Sequence, residues 1–155
     1  MKRTITTKSV LITFIVTLVL YVCAYNGLQY LQTRKGPWEV TFAADDEGNP
    51  SITIYQPKLN ISSVEILFPG ERVARSNLSE RVAFDKPRQP TPFGTVIYDD
   101  LMFQPGVVTM DLFGHEVEFL PRTLIINKKE YLWNSDSTIE LSSTNKPPIP
   151  PKPLQ

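Results

Sequence analysis

Residues 107–120 read VVTMDLFGHEVEFL, and the spacing of apolar and polar side chains in this stretch decides the fold class. Neighbouring residues of a β-strand point to opposite faces of a sheet, so alternation indicates strands with one buried face. A hairpin that turns at Gly114 and His115 brings the apolar residues onto one face, and glycine at the first turn position suits a type II′ turn. That face comprises Val108, Met110, Leu112, Val117 and Phe119. The stretch therefore predicts two antiparallel strands, with His115 exposed at the turn.

The same hairpin contains the only histidine of the chain, which raises the question of a catalytic or metal site. A zinc-protease helix needs a second histidine four residues later, zinc deaminases need cysteines, and serine hydrolases need a Gly-x-Ser-x-Gly turn. None of these patterns accompanies His115. We therefore predict a protein that is not an enzyme and has no cofactor. A hydrolase with an unrecognised site is an alternative.

Two carboxylates of the hairpin form the remaining candidate site. The predicted register places Asp111 opposite Glu118, and like charges on facing strands are mildly destabilising. We expect Arg122, or a lysine on the next strand, to neutralise the pair. The sharper hypothesis is a weak cation site, or a patch for a basic partner, formed by Asp111 and Glu118.

Most of the chain after residue 35 has the same character of short, β-branched and aromatic stretches between turn residues. These stretches are WEVTF (38–42), SITIYQ (51–56), ISSVEILF (61–68), TVIYDDLMF (95–103), TLIINKKEYLW (123–133) and STIELS (137–142). Residues 71–94 are less regular, and Val73, Val82 and Phe84 could anchor a short strand or one helical turn. About seven to nine short strands predict a mostly β domain, an antiparallel sandwich or barrel-like structure, over residues 36–144.

The N-terminal segment predicts a single transmembrane helix. No charged residue occurs in residues 9–33, and 25 helical residues would rise about 37 Å, enough to cross a hydrocarbon core. Positive charges in the leader, residues 1–8, favour a cytoplasmic N-terminus, so this signal-anchor would leave the β domain extracytoplasmic at the cell membrane. The alternative is a signal peptide cleaved after Ala24 and a secreted domain.

Residues 145–155 predict an extended, proline-rich tail. Pro147, Pro150 and Lys152 have the spacing that SH3-type grooves bind, and they are the partner-binding candidates of the sequence. A stiff spacer is the simpler interpretation of the same composition.

The charge balance narrows the classes of partner. The chain has 16 basic and 16 acidic residues, so nucleic acid is not an expected partner. Our first functional hypothesis is a non-catalytic protein interaction or assembly module of the cell envelope, held by lipid contact through residues 9–33. The alternative is a domain that binds a sugar or peptide on a sheet face. The aromatic side chains considered for that role are Trp38, Tyr55, Tyr98, Tyr131 and Trp133.

Overall fold

The computed structural model describes residues 7–142, which contain one α-helix followed by a β domain with a short 3-10 helix, Pro57–Leu59. Helix α1 runs from Thr7 to Thr33, so it begins two residues before the predicted span. The side chains of α1 are not buried against protein, and the helix is long and apolar enough to cross a membrane. Its threonines satisfy their own hydroxyl groups, since Thr13 Oγ1 donates to the Ser9 carbonyl and Thr17 Oγ1 to the Thr13 carbonyl, each at 2.9 Å. These internal bonds remove a cost of placing polar groups in an apolar surrounding.

The β domain confirms the mostly β fold class. Within residues 7–142 it has ten strands: β1 (Glu39–Ala44), β2 (Pro50–Gln56), β3 (Ile61–Leu67), β4 (Leu78–Ala83), β5 (Thr95–Asp100), β6 (Val107–Leu112), β7 (His115–Phe119), β8 (Thr123–Ile126), β9 (Lys129–Leu132) and β10 (Thr138–Glu140). They form two five-stranded sheets, ordered β10-β3-β2-β1-β4 and β5-β6-β7-β8-β9. All pairs are antiparallel except β10 with β3, and neither sheet closes into a barrel.

The two sheets share one core because alternation places their apolar side chains on facing surfaces. The buried residues with the largest side chains come from both sheets and from the loops beside them: Trp38, Phe42, Phe68, Phe84, Phe119, Ile52, Ile54, Ile66, Met110, Leu112, Leu124 and Ile126. Ring contacts cross the interface, with 5.8 Å between the centroids of Trp38 and Phe119. The predicted apolar face of the 107–120 hairpin is confirmed, because all five of its residues are buried.

The turn of this hairpin differs from the prediction. It lies at Phe113 and Gly114, whose φ angles of 56° and 82° belong to a type I′ turn, so Leu112 and His115 are the last paired residues. The positive φ at a bulky residue is offset by packing, since the Phe113 ring lies 5.1 Å from that of Phe68. Asp111 Oδ1 also accepts a hydrogen bond of 2.9 Å from the Gly114 amide and closes the turn.

The structure also defines three segments whose form the sequence left open or gave too long. The stretch 123–133 is two strands, divided by a turn at Asn127 and Lys128 with φ angles of 51° and 66°. Residues 71–94 contribute one strand, β4, rather than a helical turn. The stretch 95–103 is a strand only as far as Asp100, and the following residues form a loop that ends at β6.

Candidate functional site

His115 is a core residue, so the prediction of an exposed turn position was wrong. Its side chain is 0% exposed and its ring lies 6.4 Å from that of Phe68. Asn127 Oδ1 accepts the Glu116 amide at 3.1 Å, which leaves Asn127 Nδ2 as the donor to His115 Nδ1 at 2.9 Å. The neutral imidazole with its proton on Nε2 fits this arrangement. A buried side chain that links β7 to the turn between β8 and β9 offers no approach to a substrate, which argues for a structural role.

The observed register of β6 and β7 also bears on the weak cation site that the sequence suggested at Asp111 and Glu118. Asp111 lies opposite Glu116, and Glu118 lies opposite Thr109, so the predicted pairing of Asp111 with Glu118 was wrong. The two carboxylates share the outer face as diagonal neighbours. Among residues 7–142 no group of three or more histidine, cysteine, aspartate or glutamate side chains is arranged to hold a metal ion. The cation site at Asp111 and Glu118 stays a prediction without the facing geometry that suggested it.

The candidate residues of the tail, Pro147, Pro150 and Lys152, lie outside the residues that the structure describes. Their binding to an SH3-type groove stays a prediction.

The five aromatic residues considered for ligand binding divide into core and surface. Trp38 is buried, and the partly buried Trp133 packs 5.2 Å from it. Tyr131 also packs against the core. Tyr55 is 38% exposed and lies beneath the Arg81 guanidinium, 5.4 Å from its ring centroid, and Tyr98 is 56% exposed. Only Tyr55 and Tyr98 of this set therefore present a ring to a ligand, and they belong to different sheets.

Strand β5 is an edge strand on which two adjacent apolar side chains are exposed. Strand β5 pairs with β6 on one side, and no strand of residues 7–142 pairs with its other side. A β-bulge interrupts the register between Val96 and Tyr98 and leaves Ile97 without a residue opposite. The alternation of faces is broken there, so Ile97 and Tyr98 are both exposed, at 59% and 56%.

The loop that precedes β5 is held against this edge. The Arg88 amide donates to Asp99 Oδ2 at 2.6 Å, and the Phe93 ring packs 5.1 Å from Phe42 and 5.5 Å from Phe113. A shallow groove lies between this loop and β5, lined by Arg88, Gln89, Pro90, Thr91, Gly94, Thr95 and Val96. This loop therefore borders the approach to β5.

A second concave surface lies where β2, β3 and β10 meet the turns at the other end of the domain. This cleft of about 490 Å³ contains the carboxylates of Asp45, Glu65 and Glu140. Hydrogen bonds from the side chain and amide of Asn49 and from the Glu47 amide hold the pKa of Asp45 below its usual value of 3.8. These bonds already satisfy the Asp45 carboxylate and stabilise the turn, so the residue has a structural role here.

Comparison of the chain with known protein families, with characterised proteins and with solved structures finds no match. Any proposal of a function therefore depends on the geometry of the domain itself. The β5 edge is the feature from which we argue below.

The sequence contained only a partial signal for this edge. The alternation of TVIYDD assigns Val96 and Tyr98 to one face and Ile97 to the other, so one of these positions is expected to be buried. The bulge between Val96 and Tyr98 exposes both Ile97 and Tyr98, and a bulge without a glycine has no residue type by which the sequence would reveal it.

Proposed function

We propose that this protein is a non-catalytic interaction module of the cell envelope, anchored in the membrane by α1, which binds a protein partner along the β5 edge. The apolar helix Thr7–Thr33 supports the anchor. The positively charged residues Lys2, Arg3 and Lys8 at its start support a cytoplasmic N-terminus and an extracytoplasmic β domain.

The single observation that carries the proposal is the exposure of two adjacent apolar residues on a strand that is open on one side. An open edge presents unpaired amide and carbonyl groups, to which an extended segment of another protein can add as a further strand. Ile97 and Tyr98 would supply the apolar contacts, and tyrosine is among the residue types most enriched at the centres of interfaces. The partner class that fits is a protein with an exposed strand or an extended peptide.

Site-specific photo-crosslinking in intact membranes tests this proposal. A photoreactive phenylalanine analogue replaces Tyr98 in the full-length chain, and the matched control carries it at Glu130, an exposed position of β9 at the opposite edge of the same sheet. We expect a crosslinked product of defined mass from position 98 and none from position 130.

A charge substitution makes the same test specific for the edge. Ile97→Lys places a solvated charge beside the strand and is expected to abolish the crosslink from position 98, whereas Glu130→Lys leaves it intact. The proposal is contradicted if position 98 gives no crosslink in membranes from the native cells, or if Ile97→Lys and Glu130→Lys have the same effect.

A further inference from the structure

We propose that the end of the β domain at which β1 begins sits in the headgroup layer of the membrane, through the loop of residues 101–106 and Leu132. This end is called the linker end here. The inference rests on the proposed anchor, because it requires α1 to span a bilayer. It assigns a second lipid contact to a part of the chain outside the helix.

Apart from Ile97 and Tyr98 on the β5 edge, the exposed large apolar side chains of the described β domain lie at the linker end. Met102 and Phe103 are 67% and 56% exposed in the loop between β5 and β6, and Leu132 is 81% exposed at the end of β9. Among the described residues, no large apolar side chain is comparably exposed in the turns of the opposite end, at 45–49, 69–77, 113–114 and 127–128. Exposed apolar side chains gathered on one surface indicate a contact site, whereas scattered ones need no explanation.

Trp38 joins both apolar positions to the start of β1. Its indole Nε1 donates to the Gly106 carbonyl at 2.8 Å, at the end of the 101–106 loop. Its ring lies 5.2 Å from that of Trp133, the residue after Leu132. The loop and Leu132 are therefore fixed to the point at which the chain enters the domain.

The connection between helix and domain is short because its second half is already bound to the domain. Gln56, which is 2% exposed, donates from Nε2 to the Pro37 carbonyl at 2.7 Å and to the Gly36 carbonyl at 3.2 Å. Only Arg34 and Lys35 separate the end of α1 from this bound segment. At 3.3–3.6 Å per extended residue, the covalent reach from Thr33 to Gly36 is roughly 10 Å. If α1 ends at the membrane surface, the linker end stays within reach of the headgroups whatever the angle between helix and domain.

Both apolar and charged side chains of this surface favour contact with lipid. Methionine, phenylalanine and leucine gain by leaving water for the region between headgroups and acyl chains. Exposed Arg34, Lys35, Lys58, Lys86 and Arg122 outnumber exposed Asp85 and Asp100 at the linker end. Attraction to anionic lipid therefore adds to the apolar contact but is not required for it. Binding is therefore expected on neutral phosphatidylcholine as well as on anionic lipid.

Fluorescence quenching by spin-labelled lipid tests the inference in the full-length chain. The native cysteine is removed by Cys23→Ser, and an environment-sensitive nitrobenzoxadiazole label is attached to a single new cysteine. The positions are Leu132→Cys at the linker end, Asp46→Cys at the opposite end, and Leu20→Cys in α1. Each protein is reconstituted in phosphatidylcholine vesicles that contain lipids with the nitroxide near the headgroup or deep in the acyl chain.

We expect the label at position 132 to emit at shorter wavelength than the label at position 46, and to be quenched by the shallow nitroxide more than by the deep one. Addition of Phe103→Asp to the position-132 protein should reverse both effects, which shows that the protein surface and not the label causes insertion. Phe103 is exposed, so native tryptophan fluorescence should be unchanged by this substitution.

Each other outcome overturns the inference in a distinguishable way. Quenching at position 20 without quenching at position 132 leaves the anchor intact and removes the second lipid contact. Quenching at position 132 that persists with Phe103→Asp means that the loop does not hold the domain at the membrane. Absence of quenching at position 20 removes the anchor itself, and the inference with it.

Discussion

The substitution Trp38→Phe tests the physical argument that the linker end is a rigid part of the domain. Trp38 is 0% exposed, and its indole N–H donates to the Gly106 carbonyl across the two sheets. Phenylalanine retains an aromatic ring in the core but cannot donate this hydrogen bond. The substitution therefore removes one bond between β1 and the 101–106 loop with a limited change in shape.

The expected loss of stability has two parts. A buried carbonyl left without its donor costs about 1–3 kcal/mol. The smaller ring leaves a void of roughly 40 Å³, which at about 24 cal/mol per Å³ costs about 1 kcal/mol. We expect the free energy of unfolding to fall by about 2–4 kcal/mol, a large share of the 5–15 kcal/mol typical of a domain.

Urea unfolding of the full-length chain in detergent micelles, followed by tryptophan fluorescence, measures this change. Trp38→Phe retains Trp133 as the reporter, and the matched variant Trp133→Phe retains Trp38. The Trp133 indole also donates to a carbonyl, that of Leu120 at 2.8 Å, but the side chain is only partly buried, so its replacement should cost less. A loss below about 1 kcal/mol for Trp38→Phe would refute the reasoning, because the bond to Gly106 would then contribute nothing measurable.

Three further predictions concern single contacts. His115→Leu removes the acceptor of the Asn127 side chain and should lower the free energy of unfolding by about 1–3 kcal/mol in the same assay. Gly106→Ala should destabilise the chain more than an alanine at an exposed loop position, because its Cβ would overlap the Asp100 carbonyl. Asp45 has a lowered pKa, so its contribution to stability is complete above the unfolded pKa and is lost as pH falls through the folded one. The stability difference between wild type and Asp45→Ala should therefore shrink below about pH 4.

The sequence predicted the sheets well because alternation depends only on which side of a strand is buried. The alternating residues Val40, Phe42, Ile52, Ile54, Val64 and Ile66 lie in the core, as do those of the 107–120 hairpin, in agreement with their spacing. The helix was equally accessible to prediction, because an uncharged segment of this length has few other stable structures. Both predictions use only residues that are close together in the sequence, so neither needed knowledge of long-range contacts.

The register of the hairpin was not accessible to the same reasoning. The predicted register pairs Asp111 with Glu118, whereas the structure pairs Asp111 with Glu116, a shift of two residues. A shift of two keeps every side chain on its face, so alternation cannot distinguish the two registers. The packing of Phe113 against Phe68 favours the observed one, and this contact joins residues distant in sequence. This difference in register explains why His115, predicted to be exposed in the turn, is a buried strand residue in the structure.

The candidate surfaces lie where alternation stops predicting burial. Ile97 is exposed by a bulge, and Met102 and Phe103 by a loop that sequence spacing had assigned to a strand. An apolar side chain of a strand gains free energy when it is buried in the core. The same side chain in a loop that exposes it to water gains nothing in the isolated chain. Each exposed apolar Å² forfeits about 25 cal/mol that a contact would recover. A contact that covers these side chains is therefore favourable in itself. The open edge of β5 favours a protein strand as the cover of Ile97, and the short linker favours lipid as the cover of Met102 and Phe103.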